Sequence, residues 1–245
     1  MATVIAGVSG AIGSALAERY LGEPTAGPVI GLARQMHKVP ERLRHHPELH
    51  LVSWQAETPS LVADDPVVRE VLASAGGITT LIYAAGLLHD AHLTPEKRLD
   101  DLREESMLRA FQVNCVGFGL LVQTLAPWFR GKQLTRVAAV SAKVGSITDN
   151  QQGGWYAYRC SKAALNMMVK NLAIELPRRY APVACVAVHP GTTRSALSEP
   201  FGQSLAKLTV HDPDDTAANL FRILSGLGEG DNGRFINWDG RDLDW

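Results

Sequence analysis

Short apolar runs alternate with helical patterns from one end of the chain to the other. Apolar runs predict strands at 3–6, 29–34, 49–54, 79–86, 136–142, 183–189 and 233–238. Apolar residues three and four positions apart predict helices at 14–21, 60–75, 104–128, 156–176 and 213–227. This alternation predicts an α/β fold with one doubly wound domain over 1–245, in which helices cover both faces of a parallel sheet of about seven strands.

Two of the predicted helices have a local start signal. Asp65 is followed by Pro66, and Asp212 is followed by Pro213. An aspartate at the N-cap with a proline in the first turn is typical of a helix start, because the carboxylate accepts from unpaired amides. Both aspartates are therefore predicted to cap the helices that follow them.

Four segments with candidate chemistry follow predicted strand ends. They are the glycine-rich segment 7–13, residues 84–86, Ser141 and the segment 190–195. In an open parallel sheet, ligands bind beyond the carboxyl ends of the strands, so these segments are expected to meet at one crevice. The helix that carries Tyr158 begins on the same side, and the set is more specific than any one motif.

The segment 7–13, GVSGAIG, stands between the first strand and the first helix. Gly7 permits a tight turn, Gly10 lets the backbone approach a ligand, and Gly13 lets the helix pack on the strand. The helix N-terminus would then face a pyrophosphate. This context predicts a dinucleotide site rather than a plain turn.

The end of the second strand bears on the choice of cofactor. An acidic residue there accepts hydrogen bonds from the adenosine ribose and repels a phosphate. This chain has Ala33 and then Arg34, which favours a 2′-phosphate and therefore NADP(H), with NAD(H) possible. The alternative is an exposed arginine at a strand end.

Tyr158 and Lys162 are four residues apart in the helical pattern, so they project from one face of the helix. A free phenol has a pKa of about 10. A neighbouring ammonium favours the phenolate and lowers that pKa, which suits a general acid or base. The alternative is an ordinary tyrosine beside a solvated lysine. Asn114, in the apolar middle of another helix, is either a functional amide or a surface position.

The composition is that of a globular protein, with 46% hydrophobic and 20% charged residues. The net charge of −1 supplies no basic field, so no nucleic-acid partner is expected. The sequence has no apolar run of membrane-spanning length and no signal-peptide pattern at its start, so no membrane association and a cytoplasmic location are expected. Its three cysteines lack metal-ligand spacing, which predicts a reducing compartment and no metal site.

The glycine loop, residues 84–86, Asn114, YRCSK at 158–162 and PGTTRS at 190–195 have an order and spacing that resemble the short-chain dehydrogenase/reductase family. The resemblance covers nearly the whole chain. Around Tyr158 and at the C-terminus the sequence resembles the C-factor-like and sniffer-type carbonyl reductase branch. The resemblance implies a Rossmann fold and an NAD(P)(H)-dependent oxidoreductase that acts on an aldehyde, ketone or alcohol.

The resemblance also implies roles for single residues. Tyr158 would protonate the carbonyl oxygen, Lys162 would lower the pKa of Tyr158 and bind the nicotinamide ribose, and Asn114 would hold a water. Ser195 and the backbone at 189–192 would meet the carboxamide. The predicted cofactor-binding residues are Gly7, Ser9, Gly10, Ala11, Ile12, Gly13, Arg34, Ala84, Ala85, Gly86, Tyr158, Lys162, Pro190, Gly191, Thr192 and Ser195.

The sequence departs from the family pattern at two places. The family's NNAG stretch is Tyr83-Ala84-Ala85-Gly86 here, so its asparagine amides are absent. Ala142 stands where the family has its catalytic serine. Ser141 and Ser146 are rival candidates for the hydroxyl that orients the substrate carbonyl, and neighbouring side chains on a strand point to opposite faces.

The leading hypothesis is a cytosolic NADPH-dependent carbonyl reductase acting on a small-molecule carbonyl or alcohol. The alternative is a nucleotide-binding signalling or regulatory protein with weak or no turnover. The segment 192–210 is expected to form a lid on the substrate side, where Trp155 and Phe201 would shape the pocket. On family resemblance, the chain is expected to form a homodimer or homotetramer through the helices 104–128 and 156–176.

Overall fold

The fold is organised around one parallel sheet. The computed structural model describes residues 1–24, 27–58, 62–129, 131–180, 182–201 and 209–245. The strands of the main sheet are β1 (Ala2–Ala6), β2 (Val29–Ala33), β3 (Leu49–Ser53), β4 (Ile78–Tyr83), β5 (Thr135–Val140), β6 (Val183–His189) and β9 (Phe235–Asn237). They lie in the order β3-β2-β1-β4-β5-β6-β9, and every pair is parallel. The prediction of a seven-stranded parallel sheet is confirmed.

Helices cover both faces of the sheet, as predicted. They are α1 (Ala11–Leu21), α2 (Glu41–Arg44), α3 (Pro66–Ala75), α4 (Glu104–Phe111), α5 (Gly117–Leu125), α6 (Tyr156–Glu175), α7 (Pro177–Tyr180) and α8 (Pro213–Gly226). Buried side chains of α3, α5 and α6 pack together on one face, and those of α1 and α8 pack on the other. Successive strand residues alternate between these two cores, because a strand has a side-chain period of two.

The two predicted helix caps differ in outcome. The Asp65 carboxylate accepts from the amides of Val67 at 2.9 Å and Val68 at 3.2 Å, so it caps α3 as predicted. Asp212 occupies the N-cap position of α8 but makes no side-chain cap bond there. Its carboxylate instead accepts from Arg194 Nε at 2.9 Å. The predicted N-cap position and the first-turn proline are therefore confirmed, whereas the expected side-chain cap bond is replaced by the ion pair with Arg194.

Residues Glu104–Trp128 form one helix of 25 residues that joins α4 to α5 through a π-helical turn, Gln112–Val116. By length and composition alone, it is the one helix among the described residues that is apolar enough to cross a membrane, which the sequence pattern did not indicate. Half of its most apolar window is buried inside the structure. A core helix of a globular domain passes the same test.

The segment 192–210 is less irregular than predicted. It contains β7 (Thr192–Thr193), which pairs in parallel with β8 (Val210–His211) and forms a small second sheet. Arg194 N donates to His211 O at 2.9 Å beside this pair. Residues 202–208 and the side chain of Phe201 lie outside the described part of the chain, so the expectation of a lid there stays a prediction.

Candidate active site and cofactor cleft

The cleft opens where the strand order changes direction. Because β1 lies between β2 and β4, the connections run to opposite sides of it, and ligands bind at such a point beyond the strand ends. A cavity of about 390 Å³ lies there. The predicted site residues that line it are Gly10, Ala11, Ile12, Ala84, Ala85, Gly86, Ser141, Tyr158, Lys162, Pro190, Gly191, Thr192 and Ser195.

The glycine loop leaves no room for a side chain at two of its positions. Gly7 has a φ of +94°, and a Cβ there would lie 2.8 Å from Ala85 N. A Cβ on Gly13 would lie 2.2 Å from Gly7 O, so α1 packs directly on the turn. The N-cap of α1, Gly10, supplies no side-chain cap, and the first turn carries no acid. Its unpaired amides therefore leave an opening that fits a pyrophosphate.

A second cavity extends this cleft toward β2. It has a volume of about 170 Å³, is lined by Gly7, Ser9 and Arg34, and shares Gly10 and residues 84–86 with the first cavity. Arg34 Nη1 lies 3.9 Å from Glu57 Oε1, and about half of the Arg34 side chain is exposed. A long-range charge pair of this kind contributes little. The guanidinium thus remains accessible to an anion at this end of the cleft.

Tyr158 and Lys162 lie at the other end, on the first turns of α6. Lys162 Nζ is 5.7 Å from the centre of the Tyr158 ring and donates to Val140 O at 2.9 Å. Burial lowers the pKa of Lys162 to about 8 and raises the pKa of Tyr158 to about 12. The direction for Tyr158 is opposite to the sequence-based expectation, because loss of hydration disfavours the phenolate. Tyr158 therefore holds its proton at neutral pH, which is the form that a proton donor needs.

Asn114 is fully buried, so it is not a surface position. Its Nδ2 donates to Leu87 O at 2.8 Å and to Ser161 Oγ at 2.9 Å, and its Oδ1 accepts from Leu87 N at 2.7 Å. Both amide protons are committed to protein atoms. Asn114 therefore ties the loop after β4 to α6, and a water at this position would need a partner other than Nδ2.

The two rival serines differ in position. Ser141 lines the cavity, but its hydroxyl donates to Asn166 Oδ1 on α6 at 2.6 Å. Ser146 is buried, accepts from Asp149 N at 3.1 Å through Oγ, and is not among the described lining residues. Ala142 presents only a methyl group to the cavity. In this arrangement Ser141 has no proton to offer a substrate carbonyl.

The segment after β6 closes the side of the cavity. Gly191 has a φ of +76°, and a Cβ there would lie 2.9 Å from the His211 ring and 3.0 Å from Trp238. Ser195 Oγ lies 3.3 Å from Ser198 Oγ and 3.4 Å from Thr193 O. Ser195 thus faces the cavity from a hydroxyl-rich turn.

Sequence reasoning missed the roles of Glu96 and the His189 side chain, and the backbone conformation of Trp155. Glu96 is buried and contacts the start of α6. Trp155 was expected only to shape the pocket, yet it has a φ of 51° and is the one non-glycine residue in the described chain with a positive φ. His189 lines the cavity, and its buried Nδ1 has no hydrogen-bond partner among the described residues. Burial, with the nearby Lys143, lowers its pKa to about 4. Each position depends on distant contacts that leave no local pattern.

Comparisons with known proteins agree with this geometry. The family model for short chain dehydrogenases matches residues 1–206. The chain is 33% identical to the C-signal of Myxococcus xanthus over 147 residues, which is 60% of this chain and 83% of that protein.

Two solved structures share the whole fold. Carbonyl reductase Sniffer of D. melanogaster is 25% identical with a TM-score of 0.85, and the match covers 100% of this chain and 99% of that one. A carbonyl reductase from chicken fatty liver, with NADPH bound, is 23% identical with a TM-score of 0.81, covering 100% and 94%. With the family match over most of its length, the chain belongs to the short-chain dehydrogenase/reductase family of nicotinamide-dependent oxidoreductases.

Proposed function

We propose that this protein is an NADPH-dependent carbonyl reductase in which Tyr158 donates the proton to the carbonyl oxygen. One observation carries the proposal. A continuous cleft runs from the Arg34 guanidinium, past the open N-terminus of α1, to the Tyr158–Lys162 pair. Its two cavities share Gly10 and residues 84–86.

The residues along the cleft suit NADP(H). The amides of the first turn of α1 would hold the pyrophosphate, and Arg34 would pair with the 2′-phosphate. The chicken carbonyl reductase, which has the same fold, has NADPH bound. Thr192 and Ser195 line the same cavity and would hold the carboxamide.

The chain's own contribution to the reaction is orientation and a proton. When bound, the reduced nicotinamide supplies a hydride for the carbonyl carbon. The Tyr158 hydroxyl transfers its proton to the carbonyl oxygen, and the Lys162 ammonium stabilises the phenolate that is left. Lys162 is buried and Tyr158 is half-buried, so the dielectric between them is lower than in water and this attraction is stronger.

The substrate side of the cavity is mainly apolar. Leu88, Val144, Trp155 and Leu197 line it, and Ala142 adds a methyl group where a hydroxyl is usual. A compact ketone or aldehyde with an apolar or aromatic substituent suits such walls. Contacts with these walls would orient the substrate carbonyl, and would so replace part of the role of the family's catalytic serine.

Association of copies is also proposed. Leu108 and Leu120 on the 104–128 helix, with Met167 and Ile174 on α6, are exposed apolar side chains. We expect a homodimer or homotetramer through these helices, which size-exclusion chromatography with light scattering would detect. The cytosolic location stays a prediction.

Replacing Tyr158 with Phe tests the proposed chemistry. General acid catalysis contributes about 10²- to 10⁴-fold, so turnover should fall by about that factor. The affinity for NADPH should stay within about twofold, because the ring is kept. The regulatory alternative, which the name C-signal and the hydrogen-bonded hydroxyl of Ser141 both favour, predicts instead that the protein keeps its cellular effect after this change. A Tyr158→Phe chain with unchanged turnover would reject the proposed acid.

A further inference from the structure

Helix α6, which carries Tyr158 and Lys162, begins without a side-chain cap from its own N-cap residue. Its N-cap residue is Trp155, whose side chain makes no cap bond, and the first turn carries no acid. Tyr158 lies within this first turn, where several amides have no partner inside the helix. Something else must fix the turn that carries the proton donor.

A residue 61 positions before Ala157 supplies the missing cap. Glu96, in the loop after β4, accepts from Ala157 N through Oε2 at 3.2 Å. Its main-chain oxygen accepts from Trp155 N. One residue thus satisfies two amides at the helix start, one through its side chain and one through its backbone.

The turn that Glu96 contacts has an unusual backbone. Gly153, Gly154 and Trp155 have φ values of 64°, 65° and 51° in succession. The left-handed region is unfavourable for a residue with a side chain, so Trp155 needs neighbours that hold it there. A Cβ on Gly154 would lie 3.3 Å from Glu96 O, which shows how closely the loop and the turn pack.

This packing brings the side chains of two cavity residues into contact. The Trp155 and Tyr158 rings meet edge to face with centres 6.3 Å apart, and both line the cavity. Leu88, from the same loop as Glu96, lines it as well. A shift of the loop would therefore move the pocket wall and the proton donor together.

Burial of the Glu96 carboxylate at this position costs free energy. Glu96 is only 3% exposed, and its Oε1 has no hydrogen-bond partner in the described structure. Buried polar atoms without partners are rare in folded proteins, and each asks for an explanation such as a functional role. A local Ser or Asp cap needs an extended backbone at the N-cap, whereas position 155 is left-handed, so the cap comes from a distant residue.

We propose that Glu96 is a positioning residue for the reaction, which locks the first turn of α6 and the Trp155 turn to the loop after β4. It acts through the Ala157 amide and the Trp155 backbone, and touches no reacting atom. The inference rests on the proposed function, because the group that it positions is the proposed acid Tyr158.

Two conservative variants test the hydrogen bond. Glu96→Gln keeps the length and an acceptor oxygen, whereas Glu96→Asp keeps the charge and withdraws the acceptor by one methylene. A small misplacement of catalytic groups can cost up to about a hundredfold in rate, so kcat of Glu96→Asp should fall about tenfold or more. Glu96→Gln should stay within about threefold, and the Kd of NADPH should stay within about twofold in both variants.

Asp65→Ala is the matched control, because Asp65 caps α3 with two similar bonds at a distance from the cleft. It should lower the unfolding midpoint and leave kcat unchanged. If Glu96→Asp lowers kcat and NADPH affinity together, or if Glu96→Gln is as slow as Glu96→Asp, the positioning role is overturned.

Hydrogen exchange at the start of α6 gives a readout that needs no turnover. Exchange in a peptide spanning 153–160 should be about tenfold faster in Glu96→Asp than in the parent, with α3 unchanged. If the parent chain reduces no carbonyl compound, the proposed function is rejected. The exchange rates still test whether Glu96 fixes the first turn of α6. Unchanged exchange would overturn this positioning role even in an active enzyme.

Discussion

Two helices begin at the same cleft, and their first turns are treated in opposite ways. The N-terminus of α1 has no side-chain cap and no acid, and it opens into the cavities. The N-terminus of α6 is closed by the buried Glu96, which lies far away in the sequence. Unpaired amides attract an anion, whereas paired amides fix a backbone. We therefore expect the N-terminus of α1 to bind the anionic cofactor and the N-terminus of α6 to hold Tyr158 in position.

The first prediction breaks the open end of α1. Gly13→Ala would put a methyl group 2.2 Å from Gly7 O and force helix and loop apart. Overpacking of this kind costs about 1–3 kcal/mol, so the Kd of NADPH should rise about tenfold to a hundredfold. Gly22→Ala is the control, since Gly22 ends the same helix away from the cavities and its methyl group would make an ordinary contact 3.5 Å from Glu18 O. Equal losses in both variants, measured by fluorescence titration, would contradict the packing argument.

The second prediction sharpens the role of the first turns of α6. Burial lowers the pKa of Lys162 to about 8, so its ammonium is present below that pH and is lost above it. Tyr158, with a pKa of about 12, keeps its proton over this range. Reductive kcat/KM should be level up to about pH 8 and then fall about tenfold per pH unit.

Lys170 provides the control for this profile. Lys170 lies on the same helix as Lys162 but away from the cavity, and its ammonium donates to Gly233 O at 2.9 Å. Lys170→Met should keep the fall near pH 8. A profile that stays level to pH 10 would remove Lys162 from the reaction.

The smallest effect is expected at Ser141. Its hydroxyl proton is held by Asn166 Oδ1 at 2.6 Å, so its loss should remove no donor from the substrate. Ser141→Ala should change kcat/KM by less than about threefold, whereas removal of a true stabilising donor costs about a hundredfold or more. A hundredfold loss in steady-state assays, with intact folding by circular dichroism, would restore Ser141 as the orienting hydroxyl.

The sequence allowed prediction wherever the cause was local. The continuous apolar run at 183–189 matches β6 residue for residue, because a parallel strand covered on both faces needs apolar residues throughout. Asp65 caps α3 because its partners are the next residues along the chain. The seven-stranded fold followed from many such local patterns.

Prediction failed where contacts with residues distant in the sequence determine a side chain's partner or its pKa. Asp212 is the N-cap of α8 as predicted, but its carboxylate pairs with Arg194 instead of the helix amides, and burial reverses the expected pKa shift of Tyr158. The short helix α2 (Glu41–Arg44) lies in a polar stretch with no apolar stripe to reveal it. No local pattern connects Glu96 with Ala157, which it meets 61 residues later.

A fluorescence titration of the purified protein with NADPH, and separately with NADH, tests the central claim most directly. The open end of α1 and the accessible Arg34 predict tight binding of NADPH and about tenfold weaker binding of NADH. Arg34→Asp should narrow or reverse that difference. If neither nucleotide binds, the cleft is not a cofactor site and the regulatory alternative leads.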